Sequence, residues 1–240
     1  MNEQLSSIWV YLSQTPLLWL TLTLAVYQGA YEVYRRARFA PWCNPVAIAV
    51  AVLVGLLLLT GTPYQRYFDG AQFVHFLLGP ATVALAIPLY DNVATLRRTL
   101  VPLLLTLLIG SAVGVLSAMI FGRLLGMSHE TLISMLPKSV TTPIAMGISE
   151  QLGGLPSLTA ALVILTGILG AVGAPSVLDL LGVREQNARG FAIGIASHGI
   201  GTARAFQMSN EAGAFSGLAM GLNGAMTTII VPLLVWLLGT

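Results

Sequence analysis

The sequence predicts an all-α, polytopic integral membrane protein, and three observations predict it. Of its 240 residues, 56% are hydrophobic and only 8% are charged, against about 25% charged in ordinary soluble domains. The mean hydropathy is +0.84. Apolar runs recur from end to end, so 1–240 reads as a single transmembrane domain with about seven or eight membrane segments. Those runs are continuous rather than alternating, which sets barrel strands aside.

Composition excludes other classes. A scattered net charge of +2 gives no nucleic-acid footprint. Cys43 is the single cysteine, so neither an intrachain disulfide nor a cysteine metal cluster is expected. Met1, Asn2, Glu3 and Gln4 lack a basic n-region, so no removable signal peptide is expected. No His-Glu-x-x-His, Gly-x-Ser-x-Gly or strand-borne nucleotide loop occurs, so no enzyme, metal or cofactor is expected.

The first span covers 12–31. Trp9, Tyr11 and Trp19 flank one end and Tyr27, Tyr31 and Tyr34 the other, as headgroup-level rings do. Arg35, Arg36 and Arg38 then mark the cytoplasmic side. Asn44 caps the second span and Pro45 fits its first position. Gly61-Thr62-Pro63 stops that span, and a polar, aromatic outside link runs to Gly70. The third segment, 72–90, bends at Gly79-Pro80. Arg97 and Arg98 mark another cytoplasmic loop before a span at 101–121, whose first turn holds Pro102. Gly110, Gly114 and Ala118 give that span a small-residue packing face.

Two later segments, 131–151 and 190–209, are broken. Between them, 158–178 is a span interrupted by Gly167, Gly170 and Gly173 and bent or ended by Pro175. Arg184 and Arg189 suggest a cytoplasmic loop, and the last span is 218–238. If 131–151 crosses the membrane, that loop assignment fails; if it is re-entrant, the assignment survives.

The breaks echo one another. Gly79-Pro80-Ala81-Thr82, Pro137-Lys138-Ser139-Val140-Thr141 and Gly199-Ile200-Gly201-Thr202 each combine a Gly or Pro break with a threonine, about ten apolar residues and a full span. Internal inverted repeats built on discontinuous helices are expected from this pattern. Lys138 is the sharpest clue, because an ammonium at membrane depth must be paired, wetted or snorkelled. Ser139, Thr141, Thr142 and the flanking Pro137 and Pro143 favour a wet cavity there. Arg204, with donors suited to a carboxylate, and Thr202 are expected to face the same cavity. His198 reads either as a proton carrier or as a hydrogen-bonded helix-end histidine. Together these residues predict a site for a small organic anion, with Thr82 in the hydroxyl set.

Three ordered stretches then carry a resemblance: 76–90 around Gly79-Pro80, 136–145 around Lys138, and Ser197-His198-Gly199-Ile200-Gly201-Thr202-Ala203. They resemble the signature regions of the LrgB/CidB family, which includes the plastidial glycolate/glycerate translocator. The resemblance covers nearly the whole chain and implies two readings. One is a secondary transporter of small monocarboxylates such as glycolate, glycerate, lactate or pyruvate, proton-coupled, working by alternating access, and homodimeric. The other is an antiholin-like protein that regulates murein hydrolase activity and lysis beside a small LrgA/CidA-type membrane partner. Both imply a multi-pass protein of the bacterial inner membrane, in contact with lipid. A channel is a third reading of the interrupted helices.

Overall fold

The computed structural model describes residues 15–77, 80, 83, 84 and 86–238. Among these residues every regular element is a helix. They fall into two compact units, Met1–Ala84 and Leu85–Thr240.

The first unit holds α1 (Pro16–Arg36), a short 3₁₀ turn (Pro41–Cys43), α2 (Pro45–Thr60) and α3 (Tyr64–Phe76). Asn44 caps α2 as its sequence predicts: Oδ1 accepts from the Val46 and Ala47 amides at 2.9 and 3.1 Å. Gly61 ends the helix with φ 62°, a left-handed turn that glycine adopts without steric cost. The expected polar link to Gly70 is instead helical from Tyr64. Gly70 explains the local packing: a Cβ there would collide with the Pro16 carbonyl and Trp19. Trp19 packs inward rather than facing outward. It is fully buried and meets Tyr67 edge-on at 5.9 Å.

The second unit runs α4 (Ala86–Asp91), α5 (Val93–Leu124), α6 (His129–Met135), α7 (Thr142–Gln151), α8 (Pro156–Leu180), α9 (Gln186–Met208) and α10 (Asn210–Leu238). Short helices precede long ones three times: α4 before α5, α7 before α8, and the second half of α9 before α10. Among the described residues, α5, α8 and α10 are long and apolar enough to cross a membrane, and α2 is a shorter apolar helix of 16 residues. Helix α1, expected as the first span, is not among those three; Glu32, Arg35 and Arg36 lie within its last turns and pair at 2.7 and 2.9 Å.

Several boundaries differ from the sequence reading. Helix α5 begins at Val93, so Arg97 and Arg98 lie on a helix rather than in a loop, and Pro102 lies inside it. Helix α8 is continuous through Gly167, Gly170, Gly173 and Pro175. Its glycines do not interrupt it; Gly167 and Gly170 give room to His198 and Ser197 of α9. Arg189 is no loop residue. It is buried in α9, holding Asp179 at 2.6 Å and the Val183 carbonyl at 2.8 Å.

The α9–α10 pair packs backbone to backbone. A Cβ on Gly190 would strike the Ala212 carbonyl, and one on Gly194 the Ser216 carbonyl. Glycine at every fourth position is what lets two helices approach this closely. Phe191, Ile195, Phe215 and Ala219 of this pair join Leu103 and Leu107 of α5 in one buried cluster.

Candidate functional site

The chain between α6 and α7 cannot stay helical. Pro137 and Pro143 lack backbone donors, and Pro143 suits the opening turn of α7. Residues 136–139 form turns held by Lys138 N–H to the Met135 carbonyl and Val140 N–H to the Pro137 carbonyl, both at 3.2 Å. That geometry carries Lys138 and Ser139 into the wall of a cavity of about 450 Å³, a size within the usual range for small-molecule sites.

The cavity lies wholly in the second unit. Helix α5 supplies Thr106, Gly110, Ser111 and Gly114, an i, i+4, i+5, i+8 spacing that keeps them on one face. Thr166 comes from α8, Ile195 and Ala196 from α9, and Asn223 and Thr227 from α10. Among the described residues, the lining holds one cation, Lys138, four hydroxyl side chains besides Ser139, and no carboxylate.

Lys138 is half-buried, and its Nζ donates to the Gly114 carbonyl at 3.3 Å. Ser117 Oγ donates to that same oxygen at 3.1 Å. An ammonium has three donors and no acceptor. A neutral carbonyl satisfies it less than an anion would, so the cavity is electrostatically disposed toward a negative guest. Gly114 also faces open space: a Cβ there would meet nothing within 4 Å. The small-residue stripe of α5 therefore forms cavity wall at Gly114 and packing surface at Ala118.

The second break has a different construction. His198 sits at φ 40° and ψ −136° inside α9, an uncommon conformation for a residue with a Cβ. Its ring is buried, with Nε2 2.9 Å from the Val163 carbonyl of α8. Thr202 donates to the His198 carbonyl at 2.8 Å and lies 2.9 Å from Ser216 Oγ. Gly199 and Gly201 follow this break, and a Cβ on Gly201 would press on Ser197 and Ile193. His198 and Thr202 are thus hydrogen-bonded inside the helix packing, and neither is in the cavity lining.

Other residues singled out in the sequence lie elsewhere. Arg204 is half-buried, bonds Gln207 Oε1 at 3.2 Å and does not line the cavity with Lys138. Thr141 and Thr142 are half-buried at the start of α7, outside the lining. Pro80 is exposed in the first unit. Gly79 and Thr82 lie outside the described residues.

The cavity has members that sequence reasoning passed over. Asn223 is 1% exposed and bonds Ser111 at 2.5 Å and the Ile195 carbonyl at 3.0 Å. The signal was present: Asn223 and Thr227 are polar, four residues apart, in a long apolar run.

This architecture bears on kinship. Residues 23–237 match the LrgB-like family. The chain belongs to the LrgB-like family. As an LrgB-like chain it is similar to YwbG of Bacillus subtilis, with 40% identity over 90% of this chain and 95% of the relative. A Haemophilus influenzae relative is 34% identical over 90% of this chain and 93% of its own. The holin-like protein CidB of Staphylococcus epidermidis is 29% identical over 99% of both chains. No solved structure matches. The LrgB-like membership and the apolar helices make this a multi-pass membrane protein.

Proposed function

We propose that this LrgB-like protein carries small monocarboxylates across the bacterial inner membrane through the Lys138 cavity. The observation that supports this reading is one ammonium in a hydroxyl-lined cavity with no carboxylate among the described residues. Lys138 binds the substrate carboxylate, and Ser139, Ser111 and Thr106 hydrogen-bond the remaining oxygens of a 2-hydroxy or 2-oxo acid such as glycolate, glycerate, lactate or pyruvate. Two discontinuous segments beside one site fit alternating access. About seven or eight membrane segments, inverted repeats, a homodimer and a coupling proton at His198 belong to the same proposal.

The test is counterflow of labelled pyruvate and glycolate in proteoliposomes. Saturable exchange that falls at least tenfold in Lys138→Ala supports the reading; equal exchange in the variant, or none by folded wild-type protein, contradicts it. A large unitary conductance in planar bilayers would instead favour a channel.

A second reading has its own support in the holin-like name of the CidB relatives. Here the protein is antiholin-like, restraining murein hydrolase activity and lysis beside a small LrgA/CidA-type membrane partner. Co-purification of such a partner, with lysis control unchanged in Lys138→Ala, would favour this role over transport.

A further inference from the structure

We infer that Asn223 is a positioning residue that latches the two broken segments to each other. The inference rests on the carrier reading for its consequence, and on bonding geometry for its existence. Asn223 Nδ2 donates to the Ser139 carbonyl at 3.4 Å and to the Ile195 carbonyl at 3.0 Å. Oδ1 accepts from Ser111 Oγ at 2.5 Å and from Thr227 Oγ1 at 3.5 Å. A carboxamide has two N–H donors and an oxygen with two lone pairs, and all four are used.

The two carbonyls are not ordinary ones. Ser139 is the residue after Lys138, in the turn between α6 and α7. Ile195 lies three residues before the His198 kink, in the last turn of the first half of α9. Carbonyls in the last turn before a break lose regular helix partners, and buried ones need another donor. One side chain, rooted in the uninterrupted helix α10, supplies both breaks. No other standard side chain of this size offers two donors and an acceptor from one planar group.

The consequence concerns motion. A guest seated on Lys138 and Ser139 acts on a backbone segment whose carbonyl is held by Asn223. Any displacement of that carbonyl is felt at Ile195 through the same amide. Asn223 therefore couples occupation of the first break to the conformation of the second.

Hydrogen exchange of the full-length protein in lipid nanodiscs tests the latch without any substrate. Asn223→Leu removes every bond at similar volume, and amides of both 138–144 and 196–202 should lose protection together, by at least tenfold. Ser111→Ala removes one bond and keeps both donors, so its effect should stay under threefold. If Asn223→Leu does not fold, Asn223→Asp reads the same bonds, since a carboxylate has no donors for the two carbonyls. Unchanged protection in either segment of a folded variant overturns the latch, whether or not the protein transports. In counterflow of pyruvate, Asn223 variants should lose at least tenfold in kcat with KM held within threefold. A change confined to KM would make Asn223 a plain substrate contact and overturn the coupling.

Discussion

The two breaks of the second unit use one device to different ends. In each, a basic side chain reaches a backbone carbonyl on the long helix that precedes it: Lys138 reaches Gly114 on α5, and His198 reaches Val163 on α8. Around Lys138 the neighbouring glycine faces open space, whereas around His198 the neighbouring glycine is filled by the ring itself. At the first break Lys138 lines a cavity, and at the second the His198 ring is sealed in packing. Discontinuity in a helix therefore does not by itself make a binding site. What decides is whether the facing helix leaves volume or takes it.

Substitutions can break this contrast. The largest effect is expected at Gly167, where a new Cβ would lie 2.7 Å from His198 Cε1. Gly167→Val should destabilise by about 3 kcal/mol or more and sharply lower the yield of folded protein. A well-folded Gly167→Val with normal thermal stability would mean that the second break is not sealed by packing. The counterpart at the open break, Gly114→Ala, should fold normally, because its Cβ enters free space.

A smaller difference separates the two basic residues. His198→Ala loses a buried bond and leaves unfilled volume, for roughly 2 kcal/mol. Lys138→Ala should cost under about 1 kcal/mol, because the Lys138 side chain is half-exposed and the Gly114 carbonyl keeps Ser117 as a partner. Thermal unfolding of both variants in one detergent checks the order, and a reversed order would undo the contrast. The smallest effect is expected at Arg204, which does not line the cavity. Arg204→Ala should change the KM for pyruvate by less than twofold; a tenfold rise would put Arg204 in the site and require a rearranged cavity.

What was legible in the sequence was local. Asn44, Pro45 and Gly61 declared the ends of α2, because capping and left-handed turns depend on neighbouring residues. The breaks near Pro137 and His198 were legible for the same reason. Their surroundings were not. Arg204 is two residues beyond Thr202, and residues so spaced do not share a helix face. Thr202 itself is turned toward Ser216, 14 residues ahead, a pairing set only by α9–α10 packing. In the sequence Gly167 reads as an interruption because glycine lowers helix propensity, but tertiary packing gives it a use and the helix runs on. The cavity is assembled from five separate pieces of chain, with Asn223 lying 84 residues from Ser139 and 112 from Ser111. No spacing rule brings those together.

The most direct measurement uses the single cysteine. Replacing Cys43 by alanine leaves a background without thiols, and Gly114→Cys then places one at the cavity wall, where nothing crowds it. Labelling by a small charged thiol reagent is followed in nanodiscs with and without pyruvate or glycolate. The account predicts that Gly114→Cys is labelled, that either acid slows labelling at least fivefold, and that Lys138→Ala abolishes this protection. Labelling indifferent to both acids, or protection that survives without Lys138, would contradict it.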